Sequence, residues 1–153
     1  MHPNARLIET LYGSLRDDKP KAAADCYAAD ARFEDIAFRL EGREQVLEMW
    51  RFVCSRKVKV TFDSVVADDQ RGRGRWVARY TITETGRKVV NDTTSRFAFR
   101  DGLIVEHVDQ CDAMAWATQA YPFPKSLAAG LIGPLRQYKA RQLLEQFIRE
   151  NPA

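Results

Sequence analysis

Apolar residues in the first third of the chain recur at helical spacing. Leu7, Ile8, Leu11, Tyr12 and Leu15 form one stripe behind Asn4, a residue type that caps helix starts, so the spacing predicts an amphipathic helix ending near Asp17, Asp18 and Lys19. Pro20 suits a first helical turn. With Ala22, Ala23, Ala24 and Cys26 it predicts a second short helix running toward Tyr27 before Asp30 breaks the pattern. Alternation around Phe33 and again at 38–40 predicts two short strands flanking Ile36 and Ala37, closed by Gly42. Val46, Leu47, Trp50, Val53 and Cys54 then share a stripe that predicts a third helix over 43–54.

From 57 to 111 the period changes from 3.6 to 2, and turn signals divide the segment into four long strands. Val58, Val60 and Phe62 alternate with polar residues, and 68–74 reads as a polar, glycine-containing turn. Trp76, Ala78, Tyr80 and Ile82 resume the alternation. Gly86 turns the chain into a strand over 89–99, and Asp101-Gly102 is a hairpin signal leading into 103–111. Helical patterns return at 113–121, at 127–132 and at 135–147, with Pro122, Pro124 and Pro134 as interruptions. Helices followed by a strand meander imply an α+β fold: a curved antiparallel sheet, cone-shaped, wrapped over the N-terminal helices, with an extra C-terminal helical segment. The expected division is a cone domain over 1–120 and a helical extension over 121–153 packed on it. The apolar inside of such a cone is a natural small-molecule pocket.

Composition adds limits. The chain has 153 residues, 45% of them hydrophobic, enough for one core. Lys plus Arg is 24 and Asp plus Glu 21, and a surplus of +3 points to neither a nucleic acid nor a membrane surface as partner. Arg71-Gly72-Arg73-Gly74-Arg75 lacks interleaved aromatics and reads as a solvated hairpin loop. Three cysteines, Cys26, Cys54 and Cys111, cannot all pair, which favours a reducing, cytoplasmic setting. Arg6 and Glu9 come too early for a signal-peptide core. No nucleotide-binding or hydrolase-elbow motif is present, and no cofactor or metal is expected.

Three segments carry a family likeness: Tyr27-Ala28-Ala29-Asp30-Ala31-Arg32-Phe33-Glu34-Asp35, Leu40-Glu41-Gly42-Arg43-Glu44-Gln45-Val46, and Phe97-Ala98-Phe99-Arg100-Asp101-Gly102-Leu103-Ile104-Val105-Glu106-His107. With them, residues 4–120 resemble the SnoaL-like proteins of the nuclear-transport-factor-2-like superfamily. That group includes ketosteroid isomerases, limonene-epoxide hydrolases, polyketide cyclases and non-enzymatic modules, so the resemblance implies a fold more than an activity. It places Asp35 where the isomerases hold a proton-shuttling aspartate, and Asp109 where epoxide hydrolases and cyclases hold an acid-base aspartate. The isomerase oxyanion-hole positions fall at Leu11, beside Tyr12, and near Ser95, with Asp92 the nearest acid. Of the epoxide hydrolase Arg and Asp pair, only Arg79 has a counterpart. Relatives of this fold commonly dimerise through the open sheet face, which implies a homodimer.

Alternation places Val105, His107, Asp109 and Cys111 on one strand face, opposite Ile104, Glu106, Val108 and Gln110. Asp109 could orient His107 as a general acid or base, or the two could be a structural polar pair. Asp35 is either a reactive carboxylate, its pKa raised by apolar walls such as Phe33, Phe38, Trp50 and Phe97, or a turn residue at a strand end. The candidate catalytic residues are therefore Asp35, His107 and Asp109; candidate substrate contacts are Tyr12, Phe33, Trp50, Trp76, Ser95 and Phe97. Trp76 and Tyr80 share a face that lines the pocket or fills the core. A metal held by His107, Asp109 and Cys111 is not expected, since structural zinc takes four ligands and catalytic zinc three in suitable geometry. The C-terminal stripe, from Leu127 to Ile148, needs a cover and serves either as a lid over the cone or as a dimer interface. Two functions stand open: proton-transfer chemistry of isomerase, cyclase or hydrolase type on an apolar, oxygen-bearing molecule, or a non-catalytic binding or dimerisation module with a plugged cone.

Overall fold

Ile8, Leu11 and Tyr12 are completely buried, and the helix that carries them fixes the floor of the molecule. The structure is a computed structural model describing residues 1–152. Helix α1 (Pro3–Arg16) is capped by His2, whose Nδ1 accepts the Asn4 amide, while Asn4 reaches across to the Asp68 carbonyl. Helix α2 (Pro20–Ala24) is shorter than its alanine run predicts. The strand β1 (Tyr27–Glu34) begins at Tyr27 because pairing with the last strand, Tyr27 opposite Ile104, overrides local helix preference. Strand β2 (Arg39–Glu41) and helix α3 (Arg43–Ser55) follow, with Val46, Met49 and Trp50 buried.

Four long strands come next: β3 (Lys59–Ala67), β4 (Arg71–Thr81), β5 (Lys88–Arg100) and β6 (Leu103–Gln110). The sheet order is β2-β1-β6-β5-β4-β3, antiparallel except for the parallel β1–β6 pair. Register shifts in β1, in β3 and between β5 and β6 mark bulges, which bend a sheet and increase its twist, and they give this one its cone shape. Asp101 and Gly102 both have positive φ, as a tight two-residue hairpin turn requires.

Two strand expectations are corrected. Arg71-Gly72-Arg73-Gly74-Arg75 is not a loop but the first half of β4, and the turn is confined to Asp68, Asp69 and Gln70. Its glycines face α1: a Cβ on Gly72 would stand 2.8 Å from Ile8 Cδ1, and one on Gly74 would stand 2.8 Å from Tyr12 Oη. Glycine is therefore used there for close helix–sheet approach, while the arginines alternate outward. In β6, the bulge at Val105 turns Ile104 inward, so Ile104, His107 and Asp109 share the core face and Val105 leaves it.

Helices α4 (Ala113–Ala120), α5 (Lys125–Leu131) and α6 (Gly133–Glu150) complete the chain. Asp112 starts α4 by accepting the Met114 and Ala115 amides. Pro134 lies in the first turn of α6 and does not interrupt it. Helix α6 packs on α3 through buried Leu144 and through Phe147 against Phe52, and Arg136 Nε donates to the Ile36 carbonyl at 2.7 Å. Among the described residues no helix is long and apolar enough to cross a membrane, and Cys26, Cys54 and Cys111 are free thiols.

Candidate active site

The wide half of the cone encloses a cavity of about 470 Å³. Its sheet wall carries Trp76, Ala78 and Tyr80 from β4, Asn91 and Thr93 from β5, and Asp109 at the end of β6. Met49, Trp50 and Val53 of α3 form the facing wall, and the C-terminal helices close over it with Trp116, Leu135, Arg136 and Leu143. Residues of the C-terminal extension thus form part of the wall of this cavity.

Asp35 sits on this wall in the link between β1 and β2. Its Oδ1 accepts the amides of Ala37 at 2.7 Å and Phe38 at 2.6 Å, a tight turn that fixes the carboxyl and leaves Oδ2 without a donor among the described residues. Asp35 thus turns the chain at the end of β1 and also faces the cavity. Burial pushes its pKa up to about 6; the two amides oppose the rise, and the nearby Asp109 charge adds to it.

Asp109 has a different environment. Its Oδ1 accepts from His107 Nε2 at 2.6 Å and from the Ser95 hydroxyl, and its Oδ2 accepts a long bond from the Trp76 indole at 3.3 Å. His107 Nδ1 is bonded to Tyr27 Oη at 2.7 Å, so the ring is held at both nitrogens between Phe33, Phe97 and Trp50. His107 lies behind the cavity wall, with Asp109 between it and the open space.

Asp35, Asp109, Trp50 and Trp76 meet at the cavity. Tyr12, Phe33, Ser95 and Phe97 are buried but do not line it. They fill the narrow half of the cone, where the Tyr12 ring packs on Phe62, Trp76 and Phe97. Burial also pushes the Tyr12 phenol well up, and its oxygen has no hydrogen-bond partner. Asp92 and Arg79 face outward, Asp92 in an ion pair with Arg75, so neither can serve the cavity. Among the described residues no cluster of three or more His, Cys, Asp or Glu could hold a metal.

Several lining groups were not singled out from sequence. Asn91 and Thr93 continue the inward alternation of Ser95 and Phe97 and were readable from it. Tyr80, which the alternation places on the Trp76 face, lines the cavity too: its hydroxyl accepts the Trp116 indole N–H at 2.8 Å and so keeps its own hydrogen to donate. Burial raises the Tyr80 phenol to about 12, which keeps it protonated.

Similarity to known proteins agrees with this architecture. The sequence profile of the SnoaL-like domain matches residues 8–107. Among solved structures, a SnoaL-like polyketide cyclase candidate from Jannaschia sp. CCS1 is similar at a TM-score of 0.68 and 14% identity, covering 80% of this chain and 94% of that one. IdmH, a polyketide cyclase candidate from Streptomyces antibioticus, is similar at 0.63 and 24% identity, covering 77% and 98%. A protein of ketosteroid isomerase-like fold from Catenulispora acidiphila, solved with trimethylamine, is similar at 0.66 and 17%, covering 74% and 91%. No curated protein matches the chain. At these identities the structures speak for the fold, and the profile, spanning well over half of the sequence, places the chain in the SnoaL-like domain family.

Proposed function

We propose that the protein binds an apolar, oxygen-bearing small molecule in the cone and moves a proton on it with Asp35. The observation that carries this reading is the Asp35 carboxyl: one oxygen is tied by two amides, the other is free at the wall of an apolar cavity, and the pKa is raised to about 6. A carboxyl in that range exists in both protonation states near neutral pH, which suits general acid–base work. The ionised form removes a proton from a carbon beside a carbonyl. Negative charge then develops on the carbonyl oxygen, and in this reading the Tyr80 hydroxyl, which keeps its hydrogen at the cavity wall, donates to it. Asp109, held by three donors, is a fixed polar wall that orients ligand hydroxyls, with His107 as its positioning residue.

The test starts with a thermal-shift screen of steroids, polyketide-like aromatics, lactones and epoxides, a bound ligand stabilising the fold in proportion to its occupancy. Ketone ligands that stabilise the protein are then followed by NMR for deuterium uptake from D2O at the carbon next to the carbonyl. Uptake catalysed by the wild type and reduced at least ~100-fold in Asp35→Asn supports proton transfer. Stabilisation with no uptake, unchanged in Asp35→Asn, supports a binding module instead.

A further inference from the structure

We infer that the cavity selects an anionic ligand, with a carboxylate or equivalent group at its mouth and the apolar body inside. This rests on the reading of the cavity as a ligand site. An unbalanced arc of charge runs along the rim. Arg56 lies over the Phe52 ring at 4.7 Å and donates to the Thr83 hydroxyl. Next in the chain stands Glu84, whose Oε2 is 3.1 Å from Lys139 Nζ. Lys139 and Lys125 both lie over the ring of Tyr121, their ammonium groups 5.4 Å and 5.2 Å from its centroid. Arg56, Glu84, Tyr121, Lys125 and Lys139 all line the cavity.

Three cations in this arc thus share one carboxylate. Among the described residues neither Arg56 nor Lys125 has an acidic partner within ion-pair distance. Two ammonium groups gathered at one aromatic face repel each other, and Glu84 pairs with only one of them. A second anion at the rim relieves that repulsion. The remaining acids of the cavity, Asp35 and Asp109, repel an anionic group, and Arg136, a further cation of the lining, is committed to the Ile36 and Ala129 carbonyls, so the field orients the ligand with its charge at the rim and its neutral part toward the carboxyls. Exposed pairs are individually weak, but a cluster against an apolar wall gives discrimination on the order of tenfold.

The test uses a matched pair, anthraquinone-2-carboxylate and anthraquinone-2-carboxamide, titrated calorimetrically into the whole protein. The acid is expected to bind about tenfold more tightly than the amide at about 50 mM salt, and the preference is expected to shrink at about 500 mM. In the double variant Arg56→Gln/Lys125→Gln the preference for the acid over the amide is lost, and an unshifted thermal midpoint of the unliganded variant reports an intact fold. Equal affinity of the two probes in the wild type, or a preference that survives the double variant, overturns the anion inference and leaves the cavity reading standing. Binding of neither probe overturns both.

Discussion

His107 Nε2 and Asp109 Oδ1 lie 2.6 Å apart with side chains only 1% and 3% exposed. A buried polar pair of this kind is costly to break, because the partner left behind has no water to turn to. His107→Ala removes a donor from Asp109 and the partner of Tyr27 Oη at once. It is expected to lower stability in urea by about 3–5 kcal/mol. A loss below about 1 kcal/mol would mean that the pair contributes nothing net.

Asp35 gives stability a pH dependence of known sign. Its pKa is about 6 in the folded chain against an ordinary 3.8, so its protonated form favours folding. That contribution is complete below the ordinary value and is lost as pH rises through 6. Asp35→Asn keeps the acceptor for the Ala37 and Phe38 amides and cannot ionise. Relative to the wild type the variant should therefore gain about 2 kcal/mol between about pH 4 and pH 7, read from denaturation curves at each pH. Parallel curves for the two proteins would show that the carboxyl is not desolvated.

Gly74 is expected to resist substitution, although it sits in an arginine-rich surface strand. A Cβ there would stand 2.8 Å from Tyr12 Cε2 and Oη, and Tyr12 is fully buried. Gly74→Ala should cost about 1–3 kcal/mol in chemical denaturation through overpacking. Gly86, with nothing within 4 Å of an added Cβ, is a poor comparison because its φ is +71°; Gly13, helical and open, is the better control. Gly13→Ala should be neutral or stabilising by up to about 1 kcal/mol.

Tyr80 separates binding from chemistry. Tyr80→Phe removes only the hydroxyl that accepts from Trp116 and faces the cavity. For any ketone that takes up deuterium with the wild type, exchange should fall about 10²-fold or more, with affinity changed far less. Loss of affinity with exchange per bound ligand unchanged would assign Tyr80 to ground-state binding.

The long amphipathic helices and the four-strand meander were legible because their apolar spacing is set by burial on one face, as in α1 and β5. The start of β1 was not. Its alanines read as helix, and only the distant pairing of Tyr27 with Ile104 decides otherwise. Glycines at 72 and 74 were read as a turn because sequence does not reveal that a helix presses on them. At the site, Asp35 and Asp109 were legible from their resemblance and Trp50 and Trp76 from their faces. Trp116, Arg136 and the cationic rim depend on where α4, α5 and α6 dock, which one chain's periodicity does not encode. The division of the cone into a filled narrow half, with Tyr12 and Phe97, and an open wide half likewise depends on side-chain volumes meeting across the sheet.

The account turns on the state of one carboxyl. It is tested most directly by NMR titration of the 13C-labelled aspartate carboxyls, with the Asp35 signal assigned by its absence in Asp35→Asn. The account predicts a midpoint of about 6 for Asp35. A midpoint near 4, the range of a hydrated aspartate, would contradict it.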